Sequence, residues 1–168
     1  MDVTKIKTKS LSLKRELFNL NEIILNAIVD YKNQLAKENK RNNLTLQLID
    51  SKEPIFIEAD KGRINQVISN LLSNAIKFTT EGSISVTLER IDNQVIVSIK
   101  DTGTGVDSEI LPRLFTKFVT KSTTTGTGLG LFISKSIIHA HDGRIWAQNN
   151  TDQEGATFSF SLPATRPL

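Results

Sequence analysis

The segment RINQVISNLLSNAIKF, residues 63–78, constrains the fold of this chain more than any other, because it has two separate faces when wound as a helix. Asp60 stands where it can cap a helix that runs from Lys61 to about Thr79. A broad apolar face predicts that this helix packs on another layer of structure. The positions that form this face recur at helical spacing: Ile64, Val67, Ile68, Leu71, Leu72 and Ala75.

A narrow polar stripe runs beside that apolar face and consists of Arg63, Gln66, Asn70, Asn74 and Lys77. Asparagine is a mediocre helix former, and lysine or glutamate would serve a solvated face better. Amide oxygens are hard ligands that suit Mg²⁺, which often shares its coordination shell with substrate phosphates. A lysine can neutralise phosphate charge. The stripe therefore predicts a metal–phosphate site, with an ordinary solvated face as the alternative.

Five of the nine glycines fall in two short clusters, DTGTGV at 101–106 and GTGLGL at 126–131. Such clusters indicate sharp turns or close approach to a ligand, with two flexible surface turns as the alternative. No glycine precedes a lysine, which excludes a Walker A loop. GTGLGL lies late in the chain and lacks the Rossmann spacing, which makes a dinucleotide fingerprint a poor match.

The remaining pattern alternates strands with helices and predicts an α/β sandwich, with one mixed sheet covered on one face. Residues 1–17 are polar and basic and predict no element of their own. Asn19 or Asn21 can cap the first helix, and the strands on either side of IDN form a hairpin. Periodicity predicts helices at 19–40, 61–79 and 129–142, a short helix within 108–115, and strands at 43–49, 55–59, 83–90, 93–101, 144–149 and 157–162.

Composition excludes several classes of protein. The absence of cysteine removes disulfides, thiolate metal sites and cysteine nucleophiles, and is compatible with a reducing cytoplasm. No run of about 18 apolar residues predicts a membrane span, and the N-terminus lacks the apolar region of a signal peptide. With a net charge of +3, one Tyr and one Trp, the chain has no basic stripe with stacking aromatics, which argues against nucleic-acid binding.

Taken together, the motifs resemble the catalytic ATP-binding domain of sensor histidine kinases. This domain has the Bergerat fold shared with type II topoisomerases, heat-shock chaperone 90 and mismatch-repair ATPases. NLLSNAIKF is similar to the N box, DTGTGV to the G1 box, LFTKF to the F box, GTGLGL to the G2 box and GATFSFSLP to the closing strand. The motifs occur in family order, and the resemblance runs from about residue 2 to residue 163. It implies one mixed, mostly antiparallel sheet packed against about three helices, with an ATP lid at 119–127.

The resemblance also implies a domain boundary. Residues 1–17 correspond to a remnant of the preceding dimerisation helix and linker, and residues 18–168 to the catalytic domain. The family's phosphoacceptor histidine lies on that helical hairpin, whereas this chain has only His139 and His141, which we expect to be partly exposed at a helix end. His141 matches the family's HGG turn. We therefore expect the chain to be monomeric and unable to phosphorylate itself alone.

Residue roles are implied by the same resemblance. Asp101 would accept a hydrogen bond from the adenine amino group, and Asn74, assisted by Asn70, would bind Mg²⁺. Phe115 and Phe118 would pin the lid, although a core role for either is an open alternative. The implied catalytic group is Asn70, Asn74 and Lys77. The implied nucleotide-binding set is Asn74, Lys77, Phe78, Asp101, Gly103, Gly105, Phe118, Lys121, Gly126, Thr127, Gly128, Leu129, Gly130, Leu131 and Thr157.

Asn70 stands where ATP-hydrolysing relatives place a glutamate that activates water, and an amide cannot act as a general base. This favours a kinase over an ATPase. Thr104 and Asp142 depart from the family pattern without touching the phosphate motifs. The implied partners are ATP, the phosphoacceptor dimerisation domain and, through it, a response regulator, in the cytoplasm and without nucleic acid or membrane contact. An anti-sigma-factor-type serine kinase and a nucleotide-sensing module remain the alternatives.

Overall fold

The structure, a computed structural model, describes residues 12–38, 43–49, 53–117 and 129–164. The predicted lid at 119–127, together with Phe118, Lys121, Gly126, Thr127 and Gly128, lies outside the described residues. The described elements are β1 (Arg15–Asn19), α1 (Leu20–Lys37), β2 (Leu44–Ile49), β3 (Phe56–Asp60), α2 (Lys61–Phe78), β4 (Gly82–Ile91), β5 (Gln94–Asp101), a 3-10 helix (Leu111–Arg113), α3 (Gly130–Ala140), β6 (Arg144–Asn149) and β7 (Ala156–Pro163).

The helix α2 begins and packs as its sequence predicts. Asp60 has an extended backbone and accepts a hydrogen bond from the Arg63 N–H, which satisfies one of the otherwise unpaired donors at a helix start. All six residues of the predicted apolar face are buried. The α1 helix is capped in the same manner by Asn19, whose side chain accepts from the Asn21 N–H.

Five strands form one mixed, mostly antiparallel sheet in the order β2-β4-β5-β7-β6, with only β2 and β4 parallel among the described strands. Alternation along each strand puts apolar side chains on one face and mainly polar ones on the other. The three α-helices of the described ranges cover the apolar face, which confirms the predicted α/β sandwich. That face carries Ile84, Val86, Leu88, Val95, Val97, Ile99, Phe158, Phe160 and Leu162, all buried.

A second, two-stranded sheet differs from the prediction of a single sheet. β1 pairs antiparallel with β3, from Arg15 opposite Asp60 to Asn19 opposite Phe56. The sequence did not reveal β1, because a five-residue strand with two apolar residues in a basic context has little periodicity of its own. β1 crosses the predicted boundary at residue 17, and the assignment of residues 1–17 to a preceding domain stays a prediction.

The prediction of partly exposed histidines is wrong for His141, which is 1% exposed, whereas His139 is exposed. The Asp60 N–H donates to His141 Nε2 at 3.0 Å, and His141 Nδ1 lies 2.8 Å from the Ile137 carbonyl oxygen. A backbone N–H can only donate, so Nε2 accepts and the proton is on Nδ1. The contact joins the turn after α3 to the start of α2. It spans 81 residues, and no local pattern predicts it.

In the described part of the chain, no helix combines the length and the apolar character that a membrane crossing requires.

Candidate functional site

Asp101, the last residue of β5, is 4% exposed. Its Oδ1 accepts the Gly103 N–H at 2.9 Å and the Ala156 N–H at 3.2 Å. Burial raises the pKa of the Asp101 carboxyl above its usual range, and the two backbone N–H groups oppose that shift. Ala156 is 55 residues away in the chain, so this carboxylate is more than a local turn cap. Both hydrogen bonds from described residues reach Oδ1, which leaves Oδ2 available to a ligand.

The loop after Asp101 lies against the end of α2. Thr104 donates its N–H to the Phe78 carbonyl oxygen at 3.3 Å. A Cβ at Gly103 would lie 2.2 Å from the same oxygen, so only glycine permits this approach. The DTGTGV cluster, predicted to turn sharply or to approach a ligand closely, therefore joins the Asp101 loop to the helix that carries the asparagine stripe.

Asn70 joins α2 to the beginning of α3. Its Nδ2 donates to the Gly130 carbonyl oxygen and to the Ser134 hydroxyl, both at 3.2 Å. A carbonyl oxygen only accepts, so the orientation of the amide is determined and Oδ1 is turned away from these two partners. Oδ1 is the atom that a magnesium ion would use, which means that the hydrogen bonds orient Asn70 in a way that fits a metal ligand.

Asn74 and Lys77 continue the stripe between Asn70 and the Asp101 loop. Asn74, one turn after Asn70, is half-buried, and Lys77 is exposed with its Nζ 5.6 Å from the centre of the Phe78 ring. Phe78, a member of the implied nucleotide-binding set, is 42% exposed and so is accessible to a ligand. Since the described ranges hold no cluster of three or more His, Asp or Glu side chains that could bind a metal, a cation here would depend on amide oxygens and on the ligand's own phosphates.

The first turn of α3 adjoins Asn70 and presents backbone N–H groups. Leu129 stands at the cap position, and no side chain of the described residues caps the helix there. Leu129 and Leu131 are partly buried and pack against the core, which anchors this end of α3. A helix beginning carries positive partial charge and free donors, so it suits a phosphate group.

Two predicted residues lie elsewhere. Thr157 pairs with Lys100 across β5 and β7, so its side chain lies on the sheet face opposite the helices, and its hydroxyl donates to Asn150 Oδ1 at 2.6 Å. A direct contact of Thr157 with a nucleotide beside Asp101 does not fit this register. Phe115 packs edge-to-face on Phe158 with 6.4 Å between ring centres, which fits the alternative of a core residue.

Sequence reasoning missed two asparagines that follow one another at the end of β6. Asn149 accepts the Val106 N–H and donates to the Val106 carbonyl oxygen, both at 2.8 Å, and so holds the far end of the DTGTGV loop. Asn150 donates to the Asp101 carbonyl oxygen at 2.8 Å. The only sequence signal was two consecutive amides between strands, which is also an ordinary turn composition.

Comparison with known proteins gives a family for this arrangement. Residues 59–166 match the family described as histidine kinase-, DNA gyrase B- and HSP90-like ATPase. Sensor histidine kinase YvrG of Bacillus subtilis is 32% identical over 153 residues, which cover 88% of this chain and 26% of YvrG. The non-motile and phage-resistance protein of Caulobacter vibrioides is 38% identical over 174 residues, covering 97% of this chain and 20% of that protein. The chain thus spans about a quarter or less of these relatives.

Solved structures match the fold more completely. The nucleotide-free catalytic domain of histidine kinase ThkA superposes with a TM-score of 0.76 at 35% identity and covers 91% of this chain and 97% of its own. Full-length ShkA in complex with AMPPNP gives 0.80 at 26% identity, covering 98% of this chain and 34% of its own. The chain belongs to the histidine kinase-, DNA gyrase B- and HSP90-like ATPase family. Its fold is that of a histidine kinase catalytic domain.

Proposed function

We propose that this chain is the ATP-binding kinase core of a sensor histidine kinase and positions Mg-ATP for phosphoryl transfer to a histidine on a separate helical-hairpin domain. The observation that carries the proposal is the hydrogen bond of Asn70 to Gly130, because it places the amide stripe of α2 beside the first turn of α3. The proposed metal ligands would then lie next to the proposed phosphate donors, while Asp101 lies at the opposite end of the same stripe.

In this proposal each side chain of the chain has a stated task. Asp101 Oδ2 accepts a hydrogen bond from the amino group of adenine, a group that guanine lacks at that position. Asn74, with Asn70, would hold Mg²⁺, whose chemistry when bound is to neutralise charge on the phosphate oxygens. Lys77 would contact a phosphate at the exposed end of the stripe, and the first-turn N–H groups of α3 would hold the others.

The amide at position 70 supports phosphoryl transfer to a protein rather than to water. Asn70 Nδ2 donates to Gly130 and Ser134, which leaves the amide oxygen for a ligand. An amide oxygen is too weak a base to remove a proton from water. Catalysis would then consist of positioning the phosphates and stabilising their charge, which is the usual basis of phosphoryl transfer.

Two measurements test the proposal. Calorimetric titration with non-hydrolysable ATP and GTP analogues, with and without Mg²⁺, is expected to show much tighter binding of the ATP analogue than of the GTP analogue, strengthened by Mg²⁺. Incubation with ATP and a separately supplied phosphoacceptor hairpin of a sensor histidine kinase is expected to label that hairpin in an acid-labile form. The matched control is the same hairpin with its histidine replaced by glutamine.

The outcomes separate the alternatives. Binding without transfer to any acceptor would favour a nucleotide-sensing module, and an acid-stable phosphoserine product would favour the serine-kinase alternative. A chain that binds no adenine nucleotide would refute the kinase proposal as a whole.

A further inference from the structure

Asn150, the residue that follows β6, is the centre of a hydrogen-bond group behind Asp101. Its backbone N–H donates to the Gly155 carbonyl oxygen at 2.9 Å. Its Nδ2 donates to the carbonyl oxygens of Asp101 at 2.8 Å and Glu154 at 3.3 Å. Its Oδ1 accepts from the Thr157 hydroxyl at 2.6 Å. One half-buried amide therefore joins the end of β5, the 150–155 loop and the start of β7.

Asp101 still pairs with Ile84 of β4, but the β5–β7 ladder stops one residue before it. The last residue pair of the β5–β7 ladder is Lys100 opposite Thr157, so the carbonyl of Asp101 has no partner in that ladder. Asn150 Nδ2 donates a hydrogen bond to that carbonyl oxygen, and the Ala156 N–H donates one to the carboxylate. Gly155 lets the loop pass this close, since a Cβ there would lie 2.0 Å from the Asp101 carbonyl oxygen and its φ is +110°.

The direction of each bond in this group is determined. The Asp101 carbonyl oxygen can only accept, so the atom of Asn150 that faces it is Nδ2. Oδ1 then faces Thr157, whose hydroxyl must be the donor. Thr157 thus orients the Asn150 amide from the far face of the sheet, and the amide in turn holds the backbone of Asp101.

We propose that Asn150, oriented by Thr157, is a positioning residue for recognition of the adenine base by Asp101, an inference that rests on the function proposed above. A buried carboxylate recognises a base amino group only when it is held within about 0.5 Å of the required place. In this proposal Asn150 would contact neither the base nor the phosphates, because its described hydrogen bonds go to backbone groups and to Thr157. It acts through Asp101 and should affect the choice of base more than the binding of phosphates.

The test measures calorimetric affinities of the wild-type chain and its variants for non-hydrolysable ATP and GTP analogues in the presence of Mg²⁺. Asn150→Ala is expected to weaken binding of the ATP analogue about tenfold and to leave the GTP analogue unchanged, which lowers the ratio of the two affinities about tenfold. Thr157→Val should lower the same ratio about threefold, and Thr157→Ser, which keeps the hydroxyl, should restore it.

A double variant and a matched control complete the design. If Thr157 acts through Asn150, then Asn150→Ala with Thr157→Val is no worse than Asn150→Ala alone. Ser159→Ala is the control, since Ser159 lies on the same strand and face and bonds the Ser98 hydroxyl at 2.8 Å instead. Its base selectivity should equal that of the wild type.

Each unfavourable outcome has a distinct meaning. Equal base selectivity in wild type and Asn150→Ala would overturn the inference, as would a parallel loss for both nucleotides that follows a loss of thermal stability. Additive effects in the double variant would show a direct nucleotide contact by Thr157 and overturn its orienting role. If Asn150→Ala does not fold, the Thr157 pair of variants decides alone. A wild-type chain that binds neither analogue would instead refute the proposed function.

Discussion

Asp101 is a buried carboxyl whose ionised form is disfavoured by its surroundings in the folded state. Its burial raises the pKa of the carboxyl, so the folded state disfavours the ionised form relative to the unfolded chain. Ionisation of Asp101 therefore lowers the free energy of unfolding as the pH rises above the usual carboxyl pKa of 3.8. A ligand that donates a hydrogen bond to Oδ2 would explain why a carboxyl stands at this buried position.

The Asp101→Asn variant should therefore separate folding from binding. The amide oxygen can replace Oδ1 as acceptor for Gly103 and Ala156, which places the amide NH₂ where Oδ2 was. We expect unfolding in denaturant at neutral pH to show equal or greater stability. The NH₂ of the new asparagine would then face the adenine amino group, and because both are donors, binding of an ATP analogue should weaken about 100-fold, as measured by calorimetry. A variant that unfolds more easily, or binds as well as the wild type, would contradict this account.

At the scale of single elements, α2 carries two asparagines with different tasks. Asn70 bonds Gly130 and the fully buried Ser134, whereas no hydrogen bond within the described ranges involves the Asn74 side chain. The stripe predicted as one unit thus contains one amide that joins two helices through Nδ2 and keeps only Oδ1 for a ligand, and one amide with no such second task.

Alanine at each of these positions should have a different effect on the stability of the fold. Asn70→Ala is expected to lower the free energy of unfolding by about 1–2 kcal/mol, because two hydrogen bonds to α3 are lost. Asn74→Ala should change it by no more than about 0.5 kcal/mol, since alanine is the better helix former. Asn74→Ala should instead abolish the Mg²⁺ dependence of nucleotide binding. Equal destabilisation by both variants, or an unchanged Mg²⁺ dependence, would refute this difference between the two residues.

The end of α3 contains backbone strain. Asp142 has a φ of 62°, and the Gly143 N–H then bonds back to the Ile138 carbonyl oxygen, as in a helix end that usually carries glycine in this conformation. This explains physically why a glycine is usual where Asp142 departs from the family pattern.

Asp142→Gly should relieve that strain. We expect a gain of about 1 kcal/mol, or roughly 2–4 °C in melting temperature for a chain of this size. Thermal unfolding is best compared above pH 7.5, roughly one unit above the ordinary histidine pKa, because Asp142 also acts on the buried His141. Asp92→Gly, at the hairpin turn with a φ of 54°, is a parallel case with the same expected sign. A loss of stability in both variants would show that φ is not the dominant factor.

At the scale of the whole molecule, His141 ties the two-stranded sheet and the start of α2 to the end of α3. Its burial lowers the pKa of the imidazole below the ordinary value of 6.5, and the bond to Ile137 together with the charges of Asp60 and Asp142 oppose that shift, whereas Arg15 adds to it. Protonation would place a hydrogen on Nε2, where the Asp60 N–H already donates.

Global stability should accordingly decrease in mild acid. The unfolded chain binds a proton at this residue near pH 6.5 and the folded one only at lower pH, so the stabilisation is complete above pH 6.5 and is lost as the pH falls through the lowered pKa. Denaturant unfolding between about pH 8 and pH 5 should show this slope. His141→Gln should flatten it, while His139→Gln, at an exposed histidine, should not. Equal slopes in all three chains would exclude His141 as the cause.

The sequence by itself determined the features that depend on residues close together in the chain. The two faces of α2, its Asp60 cap and the β4–β5 hairpin all follow from local periodicity and local hydrogen bonding. These local features, set in family order, were enough to predict the layered fold, whereas the roles of the candidate site residues stay a prediction.

Only the tertiary structure decided which distant groups meet. β1 pairs with a strand some forty residues later, Ala156 donates to Asp101 across 55 residues, and His141 reaches Asp60 across 81. Thr157 shows the reason most clearly, because adjacent residues on a strand point to opposite faces and the register alone sets its direction. Local pattern specifies where an element forms, whereas register and packing specify what each side chain touches.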